Sequence, residues 1–165
     1  MSIVRKLRVF WSLDPVERRL AIEALMLPMA IPLGFQLFGV PRTQAWVRRW
    51  ARIGEKRAAP SSRTTSATID IRMACRAQAR VTRATGLVGP CLVRSMTLWA
   101  ILRRRGIEVN LRVGFRKRAG KIEGHAWVEH DEVPINESES ETRTFVVYEQ
   151  PVCFDLWRRH GARSQ

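Results

Sequence analysis

Two residues in this chain have the types that split acyl bonds. Cys91 follows the breaker pair Gly89-Pro90, and His125 lies 34 positions later in the alternating stretch Ile122–Glu129. A thiol and an imidazole are the minimum set for a cysteine nucleophile with its base. From Cys91 onward Leu92, Met96, Trp99, Ala100 and Leu102 recur at helical spacing, and Arg103-Arg104-Arg105-Gly106 supplies a basic last turn and a glycine stop. Cys91 therefore opens a helix. There the macrodipole and the unpaired N–H groups favour a thiolate and can receive an oxyanion. Position alone supports an inert core cysteine equally well, since free cysteine is among the most buried residue types.

His125 shares one strand face with Glu123, Trp127 and Glu129, and Gly124 beside it permits close approach. A triad needs a third group to orient the imidazole. A turn near His130-Asp131-Glu132 leads into a further extended stretch, Val133–Glu137. A turn of all three residues sets Glu137 opposite His125, whereas a turn of His130-Asp131 alone sets Asn136 there. Either side chain can accept the Nδ1 proton. Glu137 is preferred, because a carboxylate stabilises imidazolium better than an amide.

These residues need elements to hold them. Ile107, Val109, Leu111, Val113 and Phe115 alternate with polar residues or glycine and predict a half-buried strand. Lys117–Lys121 reads as its hairpin loop, and Thr144–Tyr148 as a later strand. Upstream, Ile69, Met73, Ala77 and Val81 predict a helix capped by Ser66 or Thr68 and decorated with arginines. Cys75 within it reads as a small buried hydrophobe. Asp14-Pro15 predicts a helix start. The following run, Ala24–Val40, is the most apolar in the chain. Pro28, Pro32, Gly34 and Gln36 interrupt it, and it falls short of the ~20 apolar residues that span a bilayer. It is expected to form two helices joined near Pro28–Gly34 and buried against the domain. Trp46, Val47, Trp50 and Ile53 continue with an apolar face against Arg48, Arg49 and Arg52. Phe154, Leu156 and Trp157 are expected to pack on the sheet or border the cleft. The resulting organisation is an N-terminal helical region (1–57) packed on the core, a linker (58–67), an α+β core (68–157) with an antiparallel sheet, and a tail (158–165).

Composition narrows the class. The 165 residues carry a formal charge of +14, and the sequence pI is near 11.4. Such a balance favours an anionic partner. Cys75, Cys91 and Cys153 are odd in number and lack a C-x-x-C spacing, so neither a disulfide framework nor a zinc ribbon is implied. The first residues lack a signal-peptide pattern. A cytoplasmic location is expected, with membrane contact disfavoured.

Together, Cys91-Leu92-Val93-Arg94-Ser95, Leu98-Trp99 with Leu102–Gly106, Leu111-Arg112-Val113-Gly114, His125-Ala126-Trp127-Val128-Glu129 and Asn136-Glu137 closely resemble the lasso peptide biosynthesis B2 proteins. The resemblance is strong over residues 68–150 and looser before them. It implies a transglutaminase-like, papain-related fold and a leader peptidase, with Cys91 as nucleophile and His125 as general base. The family's third member is most often aspartate; Glu137 stands at its place, with Asn136 as the alternative. The resemblance also implies partners, namely a lasso precursor peptide bound through its leader, a separate small leader-recognition protein and an ATP-dependent lasso cyclase, and it implies no metal, no organic cofactor and no nucleic-acid partner. Two other readings remain open at this level. One is a transglutaminase-like acyltransferase that passes the thioester to an amine. The other is a non-catalytic basic adaptor for nucleic acid or anionic membrane.

Overall fold

The computed structural model describes residue 8 and residues 10–55, 64–85 and 89–148. Three long helices precede a small antiparallel sheet, an α+β arrangement. The helices are α1 (Pro15–Glu55), α2 (Thr64–Thr85) and α3 (Cys91–Arg103). After them come β1 (Asn110–Arg118), β2 (Lys121–His130), β3 (Val133–Pro134), the single turn α4 (Glu139–Thr142) and β4 (Val146–Val147). The sheet order is β3-β2-β1-β4.

The start of α1 follows from its sequence. Asp14 Oδ1 accepts the backbone N–H groups of Val16 and Glu17 at 2.8 and 2.9 Å, with Pro15 in the first turn. The expected join near Pro28–Gly34 is not where the helix breaks. The non-helical residue is Gly39 (φ 76°, ψ 165°), which reaches that conformation without a Cβ penalty, and Pro41 follows it. Thr43 Oγ1 donates to the Gly39 carbonyl at 2.9 Å and ties the corner. Burial of this apolar run is also one-sided. Leu20, Ala24, Leu27 and Ile31 recur at helical spacing and are buried. The opposite stripe, including Ile22, Met26, Met29 and Leu33, is exposed. The expectation of helices buried against the domain thus holds for one face only.

Helix α2 begins at Thr64, so Ser66 and Thr68 lie inside it rather than capping it, and part of the expected linker is helical. Its buried face runs through Ala67, Ile71, Ala74 and Ala77, with Met73 and Val81 of the predicted face partly buried against the core; Ile69 is exposed. Small residues dominate this face and let α2 lie close to its neighbours.

Helix α3 is the centre of the molecule. Val93, Ser95, Met96, Thr97, Leu98, Ala100, Ile101 and Leu102 are all buried, because α1 and α2 cover one side and the sheet covers the other. Its C-terminal end is clamped to α1. Arg105 Nη1 lies 3.0 Å from Glu23 Oε2, and the Arg104 guanidinium stacks over Trp50 at 4.3 Å. The basic run that marks the helix end in the sequence thus also fastens it.

Strand β1 starts at Asn110 rather than Ile107; Ile107 and Val109 are buried in the connection from α3. The turn to β2 is Ala119-Gly120. The register sets Gly114 opposite His125 and Arg112 opposite Trp127. Strand β3 is shorter than expected. Its register pairs Glu129 with Pro134, which matches neither anticipated frame, and the strand stops there. Cys153, Phe154, Leu156 and Trp157 lie outside the described residues.

Candidate active site

His125 is held by its cross-strand neighbour. A Cβ on Gly114 would fall 2.8 Å from Phe145 Cβ and 2.9 Å from Trp127 Cη2. Only the bare backbone of glycine lets these two rings close in. The imidazole lies 5.3 Å from the Phe145 ring at 25° and 6.2 Å from the Trp127 ring at 24°. Arg116 covers Phe145 at 4.3 Å and bonds Glu123 and Glu141, each at 2.8 Å. Those bonds, Glu123 foremost, raise the guanidinium pKa further. Glu129 accepts from Trp127 Nε1 and Arg112 Nε, both at 2.8 Å. Glu123 and Glu129, which share the face of His125, are therefore committed to arginines.

The carboxylate that reaches His125 is Glu137. Its Oε1 lies 3.5 Å from His125 Nε2 and 2.5 Å from Arg94 Nη2. The His125 and Glu137 side chains are mostly buried, 19% and 20% exposed. His125 Nε2 is fully covered and makes no aligned hydrogen bond, and its approach to Glu137 becomes an ion pair only when the ring is protonated. The expectation that the third group would take the Nδ1 proton is corrected: Glu137 faces Nε2. Nδ1 is then the nitrogen left for a thiol.

Glu137 does not arrive through strand register. After Ile135, whose N–H still donates to the Val128 carbonyl at 2.9 Å, the backbone leaves the ladder, and the Asn136 side chain takes over. Its Oδ1 accepts the Val128 N–H at 2.8 Å, and its Nδ2 donates to Ser95 Oγ at 3.0 Å. Ser95 Oγ in turn donates to the Ala126 carbonyl at 2.9 Å. Asn136 is thus spent on joining β2 to α3, and Glu137, the next residue, sits beneath the imidazole. Neither the Asn136 bridge nor the packing by Phe145 and Arg116 was anticipated. Only the β1–β2 register exposes the latter, and the former depends on a strand ending early.

Cys91 is the first residue of α3. Pro90 occupies the cap position with no side-chain cap, and the first intrahelical bond runs from Arg94 N to Pro90 O at 3.1 Å. The N–H groups of Cys91, Leu92 and Val93 precede that bond and point out of the helix end. Cys91, Arg94 and Ser95 share one helix face by their i, i+3 and i+4 spacing. Arg94 and Ser95 are the residues through which α3 touches Glu137 and the strand beside His125. Cys91 stands one turn further out on that face, partly exposed. Helix α2 braces the same turn, with Gln78 Nε2 donating to the Arg94 carbonyl at 2.8 Å.

The second described thiol, Cys75, is of another kind. Its Sγ donates to the Ile135 carbonyl at 3.6 Å, and burial pushes its pKa up. It is held as a thiol. Among the described residues no group of three or more His, Cys, Asp or Glu side chains is placed to hold a metal.

The arrangement sets a buried imidazole against a carboxylate and, on the helix face tied to that carboxylate through Arg94, a partly exposed thiol beside uncapped N–H groups. The model of the transglutaminase-like superfamily matches residues 36–150. No curated protein and no solved structure matches the chain.

Proposed function

The chain belongs to the transglutaminase-like superfamily, whose members act through a cysteine and include proteases and acyltransferases, and we propose that this protein is a cysteine endopeptidase that removes the leader from a lasso peptide precursor. One observation carries the reading. The helix face that begins with Cys91 is joined through Arg94 to Glu137, and Glu137 to His125. The motif resemblance around Cys91 and His125 supplies the substrate class.

In this mechanism His125 Nδ1 accepts the Cys91 proton, and the thiolate attacks the carbonyl at the leader–core junction. The oxyanion lies at the uncapped N–H groups of α3. Collapse breaks the C–N bond. The imidazolium, held by Glu137, gives its proton to the departing amine, which becomes the new N-terminus of the core peptide. Water, deprotonated by His125, then attacks the thioester and releases the leader carboxylate and free Cys91. A separate leader-recognition protein would present the precursor, and an ATP-dependent cyclase would use the freed amine. These steps are placed in the cytoplasm.

The test is incubation with a lasso precursor, with and without a leader-binding partner, followed by mass. Cleavage at one junction is expected, and Cys91→Ala should lower it by about 10³-fold or more, the usual scale for losing a nucleophile. Undiminished cleavage by Cys91→Ala would refute the assignment. A product carrying an added amine instead of water would move the protein to the acyltransferases.

A further inference from the structure

From Ala24 to Pro41 the chain has no charged residue. A helix lying on a soluble domain ordinarily turns polar residues outward. Here Ile22, Met26, Met29, Leu33, Leu37 and Phe38 form the outward stripe, each between 48% and 63% exposed. Only 28% of the most apolar window of α1 is buried. The matched family stretch begins at residue 36, so the superfamily's chemistry does not account for most of this stripe.

The ends of the stripe are of one kind. On the N-terminal side Trp11 is 66% exposed beneath the Arg18 guanidinium, 5.2 Å from its ring centre, and Arg19 is exposed beside it. Past the Gly39 corner, exposed Arg42, Trp46, Arg49 and Ile53 recur at helical spacing. Tryptophan and arginine bordering an apolar band is the pattern that rests at a lipid headgroup layer. A second copy of the chain is a poor occupant, because two chains of +14 would meet. A span across the bilayer is equally poor. Leu20, Ala24, Leu27 and Ile31 on the other face of the same helix belong to the domain core, and insertion would strip them from it.

We infer that α1 docks the protein on an anionic membrane surface, lying flat with the Ile22–Phe38 stripe in the headgroup–acyl boundary and the arginines on the phosphates. The test is flotation of the full chain with vesicles of phosphatidylcholine mixed with phosphatidylglycerol, and with vesicles of phosphatidylcholine alone. The chain is expected to float with the anionic vesicles. Met29→Glu with Leu33→Glu should weaken that binding by about tenfold or more, with an unchanged circular dichroism spectrum. If the glutamate pair does not fold, Met29→Ser with Leu33→Ser takes its place. The inference is overturned if the chain stays at the bottom with both vesicle types. Binding that ignores the substitutions overturns it too, since charge alone then holds the chain. So does a dimer by light scattering that the substitutions split, because a second copy then covers the stripe.

Discussion

The interface where α3 meets β2 and the outer surface of α1 are built from opposite materials. At the interface, Ser95 is buried completely and bonded to the Ala126 carbonyl, and the Asn136 side chain replaces a strand backbone. On α1, methionine, leucine and phenylalanine face outward. Buried polar groups that are fully bonded fix one geometry, because any other leaves them unpaired. An apolar stripe fixes no geometry, since its attraction scales with covered area and has no direction. The first suits a site where a thiol and an imidazole must be held in register, and the second suits a surface that accepts a fluid partner.

The sharpest way to break this contrast lies on α1 itself, where adjacent turns carry its two faces. Ile31→Ala removes a side chain that is 0% exposed, and should cost about 2–5 kcal/mol through lost burial and a residual cavity. Leu33→Ala, two residues on, should change stability by no more than about 0.5 kcal/mol. Urea denaturation of both variants checks this. A large loss at Leu33 would mean that the outer stripe is covered within the free protein.

A smaller effect is expected at the interface. Asn136→Ala leaves the buried Val128 N–H without its acceptor and Ser95 Oγ without its donor. The stability loss should be about 1–3 kcal/mol. Cleavage should fall by more than that destabilisation explains at a temperature where the variant is fully folded, since α3 and β2 lose their common tie. If cleavage stays at the wild-type rate, the Asn136 bridge is structural only.

How much of this was legible in the sequence depended on the range of the interactions. The helix start at Asp14, the α3 boundaries and the β1–β2 hairpin are written in local caps, spacing and turns, and the structure shows them close to where those signals stand. The break in α1 was misplaced because prolines were read as the punctuation, while Pro28 and Pro32 are accommodated and Gly39 makes the corner. The face of α2 is legible in part: Met73, Ala77 and Val81 pack on the core as their spacing predicts, whereas Ile69 is exposed and Ala67, Ile71 and Ala74 are buried in its stead. Around His125, Glu137 was named from a register that the structure does not use. The correct neighbour is reached because β3 ends at Pro134 and a side chain completes the ladder, a long-range event with no local signature. Gly114 is read in hindsight only. Its role depends on Phe145 and Trp127, which are distant in sequence or on the next strand.

The smallest predicted effect concerns the thiol that the site does not use. Cys75 is partly buried in α2 and donates to the Ile135 carbonyl, next to Asn136. Burial disfavours its thiolate and raises its pKa above the ordinary 9.0. The folded chain therefore keeps this proton to higher pH than the unfolded chain does. The contribution to stability is fully present below pH 9.0 and is lost as pH rises through the higher folded value. Cys75→Ala should flatten the decline in stability above pH 9.0, with urea midpoints of wild type and variant drawing together as pH increases. An unchanged slope would mean that Cys75 titrates alike in both states and that its bond to Ile135 contributes nothing to holding the Asn136 turn.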